Sequence, residues 1–376
     1  MRKSNFCIYC KTTLEKEKNM LSFKSEYSSL YKKESINDSE NFHNYYLTKC
    51  GNCNLVYINS DSEKEFLGFL NHKIKNKEPE YHLGFISEII KNLLENNTYY
   101  NIVYSSYKDK NLLNKIVEKD KSKFNVYEFQ TFKKSIYKES SFKNIFLLTR
   151  FIEHINKKKF LDNYINSIKE KDLLCLEIIN FSESIKNNDI SFIWDERINY
   201  PSSDFLIKFF KSHGFKKIDS YEFDKGDKFN FIIFERVQKE IVNLALSSSN
   251  ENLLLDINKY KKVLLKKTSQ ILQNYSSLAI FGAGHKSLTF LSFIMNLDDK
   301  FDIEIFDSSE EKIGSFWNKR EIKDISNFYY KKNQLNIFSF SGKNADLICS
   351  KILKQDKNAS IMQLKNFFKF NNDKNI

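Results

Sequence analysis

The chain has 376 residues, 41% of them hydrophobic, with only two prolines; this allows two or three domains with their own cores and argues against a long disordered linker. Formal net charge is +12, but the lysines are spread among acids along the whole chain, which speaks against the clustered footprint of a nucleic-acid binder. No uncharged apolar run reaches the roughly 18 residues of a membrane span, and the basic N-terminus lacks the apolar stretch of a signal peptide, so the expectation is a cytoplasmic protein with no membrane partner.

Four of the six cysteines come first, as Cys7-Ile-Tyr-Cys10 and Cys50-Gly-Asn-Cys53. Two intervening residues let both thiolates of a pair reach one ion from a single tight turn. Two such knuckles supply four sulfurs, the closed ligand set of structural zinc. Disulfides are the alternative, which a cytoplasmic setting disfavours. The 39 residues between the pairs exceed a minimal ribbon, so the loop is expected to carry its own strands. Cys175 and Cys349 sit in apolar contexts and read as packed thiols.

Further along, His82 to Asn96 places Phe85, Ile86, Ile89, Ile90, Leu93 and Leu94 on one helical face. A strand is expected over Tyr99 to Tyr104, a helix over Leu112 to Val117, and strands over Phe124 to Phe129 and Asn144 to Leu148. A helix over Phe160 to Ile168 precedes a strand over Leu173 to Ile179. A helix over Ser202 to Ser212, stopped by Gly214, precedes a closing strand over Phe229 to Glu235. This alternation predicts an α/β fold with a doubly wound, mostly parallel sheet. Asn250 to Lys266 reads as a joining helix. Leu278 to Phe281 is then an apolar strand followed at once by Gly282-Ala283-Gly284, with a helix over Lys286 to Leu297. Strand, glycine turn and helix open a nucleotide-binding α/β unit, and Asp307 ends the next strand where such a unit places an acid. The third glycine of that pattern falls at Ser287, so a tight turn without a ligand is the competing reading.

Taken in order, these features resemble the sugar C-methyltransferases that act on nucleotide-linked keto-sugars. Phe146 to Ile155, with Glu153-His154 opening a helix, is similar to that family's fourth core strand and its following turn. Leu176 to Phe181 is similar to its fifth strand, and Ser212-His213-Gly214-Phe215 to the segment before its last hairpin. Phe306 to Gly314 and Asn344 to Ile348 match its C-terminal domain. The resemblance implies three units: a zinc-binding domain over 1–75, a class I methyltransferase (Rossmann-like) core over 76–240, and a linker helix with a second Rossmann-like domain over 241–376. It also implies S-adenosylmethionine as cofactor and a nucleotide-sugar as substrate.

The chain departs from the family in two places. The cofactor turn after the first core strand reads Tyr104-Ser105-Ser106-Tyr107-Lys108-Asp109-Lys110. The acid is replaced by Tyr104, glycines by Ser106 and Lys110, and positions that would use positive φ carry side chains. By the resemblance, Asp109, Glu128 and Ser106 contribute to cofactor binding. The segment that carries the family's proton-abstracting histidines reads Asp195-Glu196-Arg197-Ile198-Asn199-Tyr200. The resemblance places Glu196, with Asp195 or His285, at the proton, since a carboxylate raised by burial or a histidine can act as base. It places Arg197 and Tyr200, with Gly282 and Gly284, at the sugar nucleotide. A catalytically degenerate relative that binds a nucleotide or nucleotide-sugar without methyl transfer is the alternative function.

Overall fold

The computed structural model describes residues 7–12, 22–24, 44–53, 55–60, 80–94, 98–118, 121–132, 142–149, 151–155, 158–186, 197–223, 228–237, 253–294, 301–317, 319–339 and 343–368. Three short strands come first: β1 (Ser22–Lys24), β2 (Asn44–Lys49) and β3 (Val56–Ser60), an antiparallel meander. Alternating elements follow, beginning with α1 (Glu80–Asn92), β4 (Tyr100–Tyr104), α2 (Tyr107–Val117) and β5 (Phe124–Glu128). Next come the single turn α3 (Phe129–Phe132), β6 (Lys143–Thr149), α4 (Lys158–Ser167), β7 (Leu173–Ile179) and α5 (Phe181–Lys186). The two-residue β8 (Asn199–Tyr200) precedes α6 (Ser203–Ser212), β9 (Phe215–Phe223) and β10 (Phe229–Arg236).

Local chemistry accounts for the best-bounded helix. Ser202 caps α6 by accepting the Phe205 N–H at 3.2 Å, and Phe205, Leu206, Phe209 and Phe210 form its buried face. Gly214, at φ +78°, ends it, a left-handed conformation that favours glycine. The central sheet has the order β5-β4-β6-β7-β10-β9. β5, β4, β6 and β7 are parallel neighbours, while β10 runs antiparallel to both β7 and β9. A hairpin that inserts one reversed strand beside an otherwise parallel sheet gives the class I methyltransferase fold. Its amino edge is stitched by side chains: Asn125 donates to Asn101 at 3.2 Å, Asn101 to Asn144 at 2.9 Å, and Asn144 to Asp172 at 2.7 Å.

The last third of the chain runs α7 (Leu253–Leu272), β11 (Ser277–Phe281), α8 (His285–Ile294), β12 (Asp302–Asp307), β13 (Phe316–Trp317) and β14 (Arg320–Asp324). It ends with β15 (Gln334–Phe338), α9 (Lys343–Gln355), β16 (Ser360–Gln363) and the short α10 (Lys365–Phe368). Here the order is β13-β14-β12-β11-β15-β16, with all strands parallel except β13. The chain order reverses between β11 and β15. This is a second Rossmann-like sheet whose switch point lies at the Gly282 turn.

The N-terminal sheet is not completed by its own segment: its fourth strand is β8, from the middle of the chain, paired to β3 as Val56↔Tyr200 and Tyr57↔Asn199. A buried ion pair brings β8 there. Glu153, fully buried, accepts the Ile179 N–H on one carboxylate oxygen and Arg197 Nε on the other, each at 2.6 Å. Its carbonyl accepts the Ile198 N–H, and the Ile198 carbonyl accepts the Ile58 N–H, both at 2.8 Å. Truncating one member leaves the other charged and buried. Arg197→Met should therefore lower the unfolding free energy by about 3 to 5 kcal/mol in a urea titration, and Glu153→Gln combined with Arg197→Met by less than the sum of the singles.

Candidate functional site

The two cysteine knuckles converge. Cys7 Sγ lies 3.6 Å from Cys53 Sγ and Cys10 Sγ 3.5 Å from Cys50 Sγ, and all four sulfurs fall within 4.8 Å of one another. A tetrahedral zinc with bonds of about 2.3 Å sets its sulfurs about 3.8 Å apart, whereas a disulfide needs about 2.05 Å. The group therefore fits one zinc ion and holds no disulfide, as the spacing predicts. Without a cation the close sulfurs of Cys7, Cys50 and Cys53 oppose one another's ionisation. The hydrogen bonds from Cys53 and Cys7 hold Cys50 well below the usual thiol range, while the thiolate of Cys50 and burial push Cys7 and Cys53 up. A divalent cation removes that conflict by charge. Lys11, at φ +64°, ends the first knuckle and returns its N–H to the Cys7 carbonyl at 3.0 Å.

The second site is the carboxyl edge of the central sheet. Ser106 is extended, at φ −137°, and no residue from 104 to 111 takes a positive φ. Side chains stand where the family's turn carries glycine, and strand passes to helix through a capping box that needs none. Asp109, at the third helical position, accepts the Ser106 N–H at 2.9 Å, the Ser106 hydroxyl at 3.1 Å and the Ser105 N–H at 3.2 Å. It also accepts the Thr149 hydroxyl from the end of β6. Asp109 is fully buried, so its carboxylate serves the turn. Burial pushes its pKa from 3.8 up to about 7, against the lowering effect of Thr149, Ser106 and Ser105. Glu128, by contrast, is exposed at the tip of β5, in register with Tyr104 at the tip of β4. Burial, then the charges of Glu128 and Asp109, raise the Tyr104 hydroxyl above its usual range.

One further pair on this edge escaped the sequence reading. His82, from α1, meets Glu177 on β7 at 3.2 Å, with both side chains 3% exposed and the imidazole against Phe229 at 4.1 Å. Glu177 is the register partner of Thr149, so the row Asp109, Thr149, Glu177, His82 spans the buried edge. No local pattern reveals a partner 95 residues away.

At the second switch point Gly282 takes φ +94°. Its N–H bonds the Phe306 carbonyl at 2.7 Å, and its carbonyl accepts the hydroxyls of Ser287 at 2.6 Å and Ser339 at 3.1 Å. Ser287 thus ties the helix to the turn where a third glycine would stand. Asp307 accepts the Ala283 N–H at 2.7 Å, the Ser309 N–H at 2.9 Å and Lys312 Nζ at 3.2 Å. An internal carboxylate therefore already holds one donor of the glycine turn. A methyl placed on Gly284 would meet nothing within 4 Å, so packing does not demand that glycine. His285 is the first residue of α8 and half-buried.

Of the remaining residues read as functional, Arg197 and Tyr200 are buried, at 4% and 0% exposed, Arg197 against Glu153 and Tyr200 beside Phe181 at 5.0 Å. Neither reaches the surface as an anion or sugar contact would require. Asp195 and Glu196 lie outside the described residues. No helix among the described residues is long and apolar enough to cross a membrane.

No protein-family model and no curated protein matches the chain. Among solved structures it is similar to the pyocyanin biosynthetic protein PhzM, at 13% identity over 46% of this chain and 62% of that chain, with a TM-score of 0.31. It is also similar to the methyltransferase domain of bacterial CtHen1-C, at 11% identity over 42% of this chain and 97% of that chain, with a TM-score of 0.27. A third is phosphoethanolamine N-methyltransferase 2 of Haemonchus contortus, at 10% identity over 78% and 80% of the two chains, with a TM-score of 0.25. The chain spans less than two thirds of the length of PhzM. The sheet order, and not these distant likenesses, carries the fold assignment.

Two measurements check this geometry. Metal analysis should return about one zinc per chain, and Cys50→Ser should lower the melting temperature by several degrees, an effect that chelation reproduces in the wild type. For Asp109 the folded state binds more protons than the unfolded state between pH 4 and 7, so stability should fall as pH rises through that window. The fall should approach about 4 kcal/mol, and Asp109→Asn should flatten it in urea titrations run at successive pH values.

Proposed function

We infer that the chain is an S-adenosylmethionine-dependent C-methyltransferase whose substrate is a nucleotide-linked keto-sugar. The observation that carries the first part is the exposed Glu128 at the tip of β5, beside Tyr104 at the tip of β4, on a sheet of class I methyltransferase order. At that position a carboxylate can accept the two ribose hydroxyls of the cofactor. The second part draws on the three-unit resemblance, with a glycine turn at the switch point of the last sheet.

When bound, S-adenosylmethionine supplies an electrophilic methyl group. The chain's own task is to hold the reactants in line, to exclude water, and to take the proton from the carbon next to the ketone. Asp109 fixes the turn beneath the cofactor edge through Ser105, Ser106 and Thr149. His285, at the opening of α8, is the imidazole candidate to accept the proton, with Asp195 and Glu196 as the carboxylate candidates. Gly282 and Gly284 bring the backbone close to the nucleotide part, with the open side of Gly284 leaving room for it.

Calorimetric titration of the zinc-loaded chain with S-adenosylmethionine and its demethylated product tests the reading. Micromolar binding is expected, and Glu128→Gln should weaken it at least about tenfold, or 1.4 kcal/mol. Absence of binding at millimolar ligand would leave a methyltransferase fold without its cofactor. Turnover of keto-sugar nucleotides, lost on His285→Ala or on Glu196→Gln, then tests the substrate.

A further inference from the structure

The first knuckle carries a side chain that zinc coordination does not use. Tyr9, between Cys7 and Cys10, is 4% exposed. Its ring meets Phe205 at 5.1 Å and 86° and Phe209 at 4.8 Å and 85°, two edge-to-face contacts with the buried face of α6. Its hydroxyl has no hydrogen-bond partner among the described residues. The first knuckle is thus seated on the buried face of α6, the helix that directly follows residues 197–200.

The second knuckle reaches the same place by another route. The Cys50 N–H bonds the Leu55 carbonyl at 2.8 Å, and Leu55 and Tyr57 enter the same hydrophobic core as Tyr9. The strand it leads into, β3, holds β8 through Val56↔Tyr200 and Tyr57↔Asn199 and through the bond from Ile58 to Ile198. Both knuckles therefore end next to residues 197–200, one through Tyr9 on α6, the helix that directly follows them, the other through β3. Joining Cys7 and Cys10 to Cys50 and Cys53 closes this path into a ring. A cross-link of that kind limits how far its two arms can separate.

We propose that the cysteine-bound metal is a clamp on residues 197–200, with Tyr9 as the positioning residue that transmits it to the methyltransferase core. This goes beyond a metal that folds its own ribbon, and it holds whether or not the chain transfers a methyl group. The segment so clamped directly follows Asp195 and Glu196 in the sequence.

Hydrogen exchange on the full chain tests the clamp. Removing zinc with a chelator should speed exchange of the Ile58 and Ile198 amides at least tenfold, while the amides of β11 and β12, in the last sheet, stay within twofold. Zinc-loaded Tyr9→Ala, its metal content verified, should show the same acceleration at Ile198, with chelation adding less than twofold. Tyr9→Phe keeps the ring and should behave as wild type. If Tyr9→Ala does not fold, Tyr9→Leu takes its place, keeping apolar bulk without the edge-to-face contacts. If chelation also opens the last sheet, the zinc-loaded Tyr9 variants decide. Unchanged exchange at Ile198 on metal removal, or wild-type exchange there in the zinc-loaded Tyr9→Ala or Tyr9→Leu protein, would overturn the proposal.

Discussion

Glu153 is the group on which the parts of this protein meet. A carboxylate at 0% exposure must have its charge answered locally, and here the Arg197 guanidinium and the Ile179 N–H answer it. The consequences reach well beyond the pair. Arg197 cannot leave without stranding that charge, so the chain crosses at 197–200 and lays β8 on the N-terminal sheet. Tyr200 and Phe181 then join Val56 and Ile58 in a core shared with Leu278 and Ile280 of the last sheet. The buried pair thus adds a polar tie to sheets that also share apolar cores.

A second theme is how each α/β unit treats its strand-to-helix turn. In both, an aspartate turns back on the backbone: Asp109 from within its own helix, Asp307 from the neighbouring strand. Such a turn is stiff because its N–H groups have permanent acceptors. In the first unit this lets serines replace glycines, since a capping box needs no left-handed residue. In the second, Gly282 is still needed, at φ +94°, but serine hydroxyls on its carbonyl take over the close helix–strand packing. Exposed carboxyl-edge groups are left at the strand tips, Glu128 among them.

The carboxyl edge also shows why the candidate residues separate into two kinds. Asp109, Thr149, Glu177 and His82 form a buried polar row in which Asp109 holds Thr149 and Glu177 holds His82, each pair tying the elements that carry it. Glu128 and His285 lie nearer the surface, where a ligand can reach them. Arg197 and Tyr200 look like substrate contacts by type and position in the chain, yet burial gives them to the framework.

The sequence by itself determined what depends on spacing and periodicity. The paired two-residue gaps of the cysteines, the apolar runs of β4, β6, β7 and β11, the amphipathic α1 and α6, and the glycine turn before α8 are all local patterns, and local sterics and burial suffice to produce them. Only the tertiary structure decided which groups far apart in the chain would meet. The pairs Glu153–Arg197 and His82–Glu177, the asparagine ladder along the amino edge and the addition of β8 to β3 all join residues that no period relates. Their physical reason is common: a polar group forced into an apolar interior must find its partner wherever the packed sheet brings one within reach, and sheet order, not sequence distance, decides where that is.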